Sequence, residues 1–386
     1  MYLPEASLDA IEQAVTDQQP GAGEMMMILL GDANRPDLGA LVERLRCRGI
    51  WFFGGFFPGL IHDAVVYESG ALILKLPARM KPVVVRGLDR QPEAPPDLAI
   101  ASAGQGESAA TAIVLVDGFA ANIALFLAEL YDRWGGEVHY LGAGAGSLSL
   151  KQQPCVFTQD GVFQDAAVVA VVAAGSAIGV RHGWRRLAGP VVATQTRRNV
   201  IAGLNWRNAF AVYRETVEAD AHRPLEPQTF YDVAKEYPFG LLKEGQEDVV
   251  RDPIAVNAAG ELICVGEIPE HAALNVLKGR PEWLIAAADQ ASLACRLPAG
   301  AQPLHSLVMD CISRRLFMGA RIADELGAIQ RRFQAVAPGL PLEGALTLGE
   351  IASYGEGYLE FFNKTVVTGL LYQLPRPSAA PAGVRA

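Results

Sequence analysis

The chain has 386 residues, of which 51% are hydrophobic and 19% charged, and its formal net charge is −9. This length exceeds what one ordinary hydrophobic core supports, so we expect two domains. The acidic balance argues against a nucleic-acid-binding protein, which needs a basic face. The five cysteines are odd in number and show no Cys-x-x-Cys spacing. The sequence therefore predicts reduced thiols in a cytoplasmic protein rather than a disulfide framework.

The chain begins with an N-terminal extension, residues 1–24, which is acidic where a signal peptide would carry a basic segment and an apolar core. The longest apolar run, Ala166–Val180, is rich in β-branched residues. It is shorter than the ~20 residues that span a bilayer. We therefore expect a buried strand there and no membrane insertion.

Residues 25–77 and 110–173 share one order of patterns: a strand, a helix, a second strand, and then a pair of strands. Two tandem β-α-β-β-β repeats predict an α/β domain, which we place at residues 25–221. Pro92–Gly106 has the composition of a linker between the copies. The glycines of Gly142–Ser147 are followed by strand patterns instead of a helix, which favours a structural turn over a phosphate-binding loop.

The second half has a different pattern, and we expect a mixed α+β domain over residues 222–372. It contains a hairpin near residues 249–268, an amphipathic helix over Gly319–Ala335, and two closing strands before residue 372. Residues 373–386 lack apolar periodicity, so this tail is predicted to be disordered.

Three segments carry a family resemblance. They are Gly179–Tyr213, the Asp-Cys-x-x-Arg stretch within Met309–Arg315, and Leu346–Val367 with its Gly-Glu-Ile and Asn-Lys-Thr elements. Together they resemble the FIST family, whose members are sensory proteins of bacterial signal transduction. The resemblance implies ligand sensing instead of catalysis. It extends to haem-binding nitric-oxide sensors of the NosP type, which implies haem b, nitric oxide as the ligand, and a separate histidine kinase or other signalling protein as partner.

Haem held by one histidine needs an imidazole, an apolar slot and cations for the propionates. His182 meets these requirements best, because it follows an apolar strand and precedes Trp184, which would flank the porphyrin. Arg181, Arg185 and Arg186 would pair with the propionates. The alternative is a structural histidine bonded to backbone, beside solvated arginines. The six histidines show no HxH or HxxxH spacing, so a multi-histidine metal site is not predicted.

The other candidate ligand is an amino acid or similar small polar metabolite, bound without haem. Glu350, Asn363, Arg314 and Cys311 would then be its contacts. The alternative is that the first two side chains pair with each other or with backbone, and that Arg314 pairs with Asp310 beside a buried thiol. No catalytic motif is present in the sequence, so we do not predict an enzyme. The sequence leaves open whether the protein forms a homo-oligomer.

Overall fold

A computed structural model describes residues 1–95, 110–243, 245–353 and 359–375. Most of the predicted linker at Pro92–Gly106 and the predicted disordered tail from residue 376 onward lie outside the described residues. The chain starts with strand β1 (Tyr2–Leu3) and helix α1 (Leu8–Asp17), whose first turn is capped by the Ser7 hydroxyl.

The first repeat is built around a parallel strand pair joined by a helix. Its elements are β2 (Glu24–Gly31), α2 (Leu38–Cys47), β3 (Trp51–Phe57), β4 (Gly59–His62), β5 (Val65–Tyr67) and β6 (Ala71–Pro77), followed by β7 (Val83–Arg86). Strand β2 is apolar without alternation because it is buried on both faces. The Asp37 carboxylate caps α2 by accepting from the Ala40 N–H at 2.7 Å.

The second repeat has the same order of elements. They are β8 (Ala110–Asp117), α3 (Ile123–Trp134), β9 (Val138–Ala145), β10 (Val156–Thr158), β11 (Gly161–Phe163) and β12 (Ala166–Val172). The predicted mixed fold with two tandem repeats is thus confirmed, although each repeat has one more short strand than expected. Gly142–Ala145, predicted as part of a turn, lie within β9, where a Cβ on Gly142 would meet the Val114 carbonyl oxygen at 1.9 Å.

A separate antiparallel barrel follows strand β13 (Gly175–Arg181). Its elements are β14 (Arg185–Arg197), β15 (Val200–Leu204), β16 (Arg207–Asn208), α4 (Ala209–Ala221), α5 (Phe230–Ala234), β17 (Phe239–Leu241), β18 (Val249–Val256), β19 (Leu262–Val265) and β20 (Ala273–Lys278). The strand order is β14-β20-β17-β18-β19-β15, and pairing of β14 with β15 closes the ring. Apolar residues of α4 and α5 share the core of this barrel.

The rest of the chain repeats the plan of the first two units. After α6 (Pro281–Ala294), this third unit comprises β21 (Gln302–Cys311), α7 (Ile312–Met318), α8 (Ile322–Val336), β22 (Leu342–Thr347), β23 (Glu350–Ser353), β24 (Leu359–Phe362) and β25 (Val366–Gln373). The prediction of two closing strands was wrong, because four strands follow α8. The structure therefore contains three related units, of which the sequence indicated two.

The three units exchange hairpins in a cycle. Hairpin β10–β11 of the second unit completes the sheet of the first, β23–β24 of the third completes the second, and β4–β5 of the first completes the third. Strand β13 also joins the third sheet by pairing with β25. Sheet pairing thus crosses the boundary predicted near residue 222, and the largest buried core contains residues of all three sheets.

Candidate functional site

A cavity of about 860 Å³ lies where the second unit, the barrel and the third unit meet, and we call it the interface cavity. The second unit contributes residues 118–121 before α3, Ile123 and Ala124 at the start of α3, and Leu148 and Leu150. The barrel contributes residues 251, 252, 254 and 255 of β18 and residues 264–267 at the end of β19, together with Arg198, Asn199 and Tyr231. The third unit contributes residues 311–313, Leu316, Leu348, Phe361 and Asn363. Such a concave junction between structural units is a common place for a small ligand.

Asn363 is the most informative residue in this cavity. Its side chain is 1% exposed, yet neither its amide oxygen nor its amide nitrogen has a hydrogen-bond partner among the described residues. It follows β24, in the turn where Lys364 adopts a left-handed conformation with φ 51°. Gly266 of the barrel lies against its oxygen, because a Cβ added there would be 2.9 Å away. A buried amide without partners costs about 1–3 kcal/mol, which a complementary ligand would recover.

Asp252 is the second buried polar group that lines the cavity. Its Oδ2 accepts hydrogen bonds from the Ser313 hydroxyl at 3.0 Å and the Tyr231 hydroxyl at 3.4 Å, and lies 3.2 Å from the Lys364 ammonium. Its Oδ1 has no partner among the described residues. Burial raises the pKa of this carboxyl, and Lys364 opposes that shift. Asp252 therefore keeps one buried carboxylate oxygen without a partner while its other oxygen holds the barrel to the third unit.

Arg251 makes a second link between the barrel and the third unit. Its Nη1 donates to the Phe361 carbonyl at 3.3 Å, and its Nη2 lies 3.3 Å from Glu360. Its Nε donates to the Glu267 carbonyl within the barrel at 2.8 Å. The barrel and the third unit are therefore in direct contact at the cavity wall, where Arg251 meets Phe361. A ligand bound there would touch both of them.

Cys311 lines the cavity at the end of β21, with Glu350 behind it. Glu350 is fully buried, accepts from the Thr347 hydroxyl at 2.6 Å and interacts with the Cys311 thiol. Burial raises the pKa of Glu350 to about 8. Burial and the Glu350 charge also raise the pKa of Cys311, so its thiol stays protonated and is a poor nucleophile.

Arg314, predicted as a ligand contact, has its donors occupied by the protein. It is fully buried and forms a two-pronged pair with Glu325 at 2.9 and 2.7 Å. Its Nη1 donates to the carbonyls of His182 and Lys364, and its Nη2 donates to that of Leu284. This guanidinium fixes the segment after β13 to α6 and α8, and the residue does not line the interface cavity.

His182 is also buried away from the interface cavity, with 6% of its surface exposed. Its Nδ1 accepts a hydrogen bond from the Trp184 backbone N–H at 2.9 Å, so the ring proton of the neutral imidazole sits on Nε2. Nε2 lies 3.9 Å from the Glu247 carboxylate. A histidine that binds a metal through Nε2 instead needs its proton on Nδ1, facing an acceptor.

The other residues of the predicted haem site make separate contacts. The Trp184 indole is 4% exposed, donates to the Lys364 carbonyl at 3.0 Å and packs so closely on Gly279 that a Cβ there would be 2.0 Å away. The guanidiniums also face different partners: Arg181 donates to the Val180 carbonyl at 2.7 Å, Arg185 stacks over Trp283 at 4.4 Å, and Arg186 donates to the Gly189 carbonyl.

The structure thus brings Cys311 and Asn363 together and leaves the other predicted residues outside the cavity. Asp252, Tyr231, Ser313 and Arg198 were missed. A signal existed for Asp252: the Arg251–Asp252 pair interrupts an apolar strand, and two adjacent charges in such a strand are unusual unless they are paired inside the protein. Tyr231 and Arg198 carry no such signal, because only the fold brings them to the cavity.

Two family models match the chain. The FIST N domain matches residues 25–207, and the FIST C domain matches residues 209–353. The protein belongs to the FIST family. FIST domains sense small ligands in signal transduction, and FIST sensors pass the signal to partner proteins. A search of curated proteins found no match. Among the described residues of this FIST protein, no helix is long and apolar enough to cross a membrane.

Proposed function

We propose that this FIST protein is a sensor whose ligand is a small polar metabolite bound in the interface cavity. The observation that carries the proposal is Asn363, a buried amide in the cavity wall with neither polar atom satisfied by the described residues. The free oxygen of Asp252 supplies a second hydrogen-bond acceptor in the same wall. An amino acid is one ligand of this kind.

The signalling step follows from where the cavity lies. Asp252 and Arg251 join the barrel to the third unit through Lys364, Ser313 and Glu360. A ligand that contacts both parts binds more tightly when they are docked, so it shifts the population toward that arrangement. We infer that a partner protein, such as a histidine kinase, responds to the surface that this shift presents.

A leucine at position 363 tests the proposal. Asn363→Leu keeps a similar volume and removes two buried polar atoms that have no partner, so the unliganded protein should gain about 1 kcal/mol of unfolding free energy. Binding of the ligand should be lost. The measurement is thermal unfolding of both proteins against a panel of the standard L-amino acids, nucleobases and small organic acids, followed by calorimetry on any compound that stabilises the wild type.

Asn275→Leu is the matched control, since Asn275 is also a buried amide but lies outside the cavity. It donates to the Asp248 carboxylate at 2.7 Å, so its loss should lower stability and leave binding unchanged. Equal binding by wild type and Asn363→Leu would refute the proposal. A panel in which no compound stabilises the wild type would count against this class of ligand.

Haem b on His182 with a nitric-oxide response stays a prediction that the geometry does not favour. The Nδ1 of His182 faces an N–H donor, the opposite of what an Nε2 metal ligand needs. Haemin titration followed by a visible spectrum decides the matter. We expect no stoichiometric Soret band; a band that shifts with nitric oxide and disappears in His182→Ala would establish haem sensing instead.

A further inference from the structure

Two arginines lie over one indole ring at the surface of the protein. The guanidinium carbon of Arg185 is 4.4 Å from the centroid of the Trp283 ring, and that of Arg280 is 5.0 Å from it. Both arginines are exposed, and neither pairs with a carboxylate among the described residues. We call these three residues the arginine patch, and none of them lines the interface cavity.

The acidic residues beside the arginine patch pair with other cations. Glu282 of α6 pairs with Arg321 at 2.8 Å. Lys278 lies opposite Arg185 where β20 pairs with β14, and its ammonium pairs with Asp220. Two guanidiniums on one ring lie closer together than about 10 Å, the screening distance in 0.1 M salt. Since no carboxylate of the described residues pairs with either of them, their mutual repulsion favours an acidic group from outside the chain.

The fold brings the arginine patch together through one close contact. The buried Trp184 indole packs on Gly279, where a Cβ would be 2.0 Å away, so the residues that follow them, Arg185 and Arg280, are neighbours in space. Arg185 begins β14 of the barrel, whereas Trp283 lies in α6, which shares an apolar core with α8 of the third unit. The patch therefore spans the same two parts of the protein that meet at the interface cavity.

The arginine patch continues into an uncharged surface along α6. Trp283 is followed by the exposed Ala286, Gln290 and Leu293, at intervals of three or four residues. Residues at this spacing lie on one face of a helix. This face of α6 therefore has cations at its first turn and apolar or neutral side chains beyond it. A chain that carries carboxylates at one end and apolar side chains along one side fits both parts.

We propose that the arginine patch and the uncharged face of α6 bind an acidic amphipathic segment of the signalling partner protein. Its carboxylates accept charge-assisted hydrogen bonds from the two guanidiniums, and its apolar side chains lie along Trp283 and Leu293. Tryptophan and arginine are the residues that most often dominate binding energy at protein interfaces. The chain has a net charge of −9 and repels an acidic segment as a whole, so the patch fixes where the segment binds.

This inference rests on the proposed function for the existence of a partner, and it specifies the chemistry of the partner and the surface that binds it. The test places the photo-cross-linking residue p-benzoylphenylalanine at the exposed position 286 of the full-length chain, in cells that naturally produce the protein. We expect a cross-link to a second protein, within a segment where Asp and Glu outnumber Lys and Arg.

Charge reversal tests the two arginines. Arg185→Glu and Arg280→Glu should each reduce the cross-link yield at least tenfold, because a carboxylate there repels the acidic segment. Neither substitution removes an ion pair among the described residues, so thermal unfolding should match that of the wild type. Replacing an acidic residue of the captured segment with arginine should restore at least half of the yield with Arg280→Glu.

Arg296→Glu is the matched control. Arg296 is also exposed without a carboxylate partner among the described residues, and it lies just beyond the other end of α6. The variant has the same change of charge as Arg280→Glu, and its cross-link yield should stay within twofold of the wild type. An equal loss of yield in both variants would show that net charge, and not the arginine patch, controls the interaction.

Three further outcomes would overturn the inference: no cross-link from position 286, a cross-link to a second copy of this chain, and a captured segment without an excess of acidic residues. The proposed function is tested separately, because the arginine patch does not line the interface cavity. Arg280→Glu should bind the metabolite like the wild type. A metabolite that binds equally to Asn363→Leu would overturn the proposed function and leave the captured segment and its dependence on Arg280 as they are.

Discussion

His182 is held in one protonation state by its surroundings. Burial, with Arg314 and Arg181 adding to it, lowers its pKa to about 3. An unfolded histidine has a pKa of about 6.5. Below pH 6.5 the unfolded chain therefore takes up a proton that the folded protein does not, until the pH approaches 3. The contribution of His182 to stability is present above pH 6.5 and is lost as the pH falls toward 3.

His182→Asn should remove this part of the pH dependence. The Asn amide oxygen can accept the Trp184 N–H that Nδ1 accepts in the wild type, without a titrating group. Between pH 6 and pH 4 the wild type should lose up to about 1.4 kcal/mol more per pH unit than the variant. Urea unfolding across that range measures the difference.

His271→Asn is the control, because His271 is exposed and has the left-handed φ of 66° that asparagine tolerates well. It should follow the wild-type curve. Parallel pH profiles for the wild type and His182→Asn would show that the imidazole titrates normally in the folded protein.

At the site, the sequence predicted residues near the ends of strands but did not predict the residues that contact them. Cys311 and Asn363 were predicted as ligand contacts, and both line the cavity. Arg314 and Glu350 were predicted with them, but the fold gives them internal partners at Glu325 and Thr347. Asp252 lies 61 residues before Ser313, which donates to it, so no local pattern could have joined them.

At the scale of elements, the turn of hairpin β4–β5 contains an avoidable strain. Asp63 and Ala64 both adopt left-handed backbone conformations, with φ of 49° and 61°. A residue with a Cβ pays about 1–2 kcal/mol for this conformation, whereas glycine adopts it freely. Two-residue hairpin turns of this kind favour Asn-Gly and Asp-Gly.

Ala64→Gly should therefore stabilise the protein by about 1 kcal/mol, since the relief of strain exceeds the entropic cost of glycine. Ala128→Gly in the middle of α3 is the matched control and should destabilise by about 1 kcal/mol. Chemical unfolding of both variants gives the two signs. A loss of stability in Ala64→Gly would show that the turn is not left-handed at this position.

The third unit shows why a structural repeat is not always recognisable in the sequence. The first strands of units one and two begin at residues 24 and 110, but that of unit three begins at residue 302, because the barrel and α6 intervene. Unit three also replaces the single connecting helix with α7 and α8. The third unit therefore does not follow the first two at a regular interval along the chain, although its strands pair in the same way as theirs.

At the scale of the whole molecule, the exchange of hairpins makes the three units depend on one another. The sheet of the second unit is completed by β23–β24, and hairpin β4–β5 pairs with β22. A fragment of residues 1–207, which contains the FIST N match, would leave β9 without its partner β23 and β4 without its partner β22, so both strand edges would be exposed. Such edges favour aggregation over folding.

We therefore predict that fragment 1–207 made alone is aggregated or lacks fixed tertiary structure, and that co-expression with residues 208–386 yields a folded complex. Size-exclusion chromatography and near-ultraviolet circular dichroism distinguish these states. A soluble monomeric fragment with sharp thermal unfolding would show that the N-terminal units do not need the exchanged hairpins.

Because hairpin β4–β5 pairs with β22, its sheet can be completed only late in synthesis of the chain. The hairpin ends at Tyr67 and its partner strand begins at Leu342, so the ribosome adds 274 residues between them. At roughly 5–20 residues per second this takes roughly 15–55 seconds. Throughout that time β4 is paired only with β5, and its other edge, with the apolar Leu60 and Ile61 that are fully buried in the finished protein, lacks the partner strand β22. Nascent chains of this protein should therefore be clients of chaperones that shield β-edges until translation is almost complete.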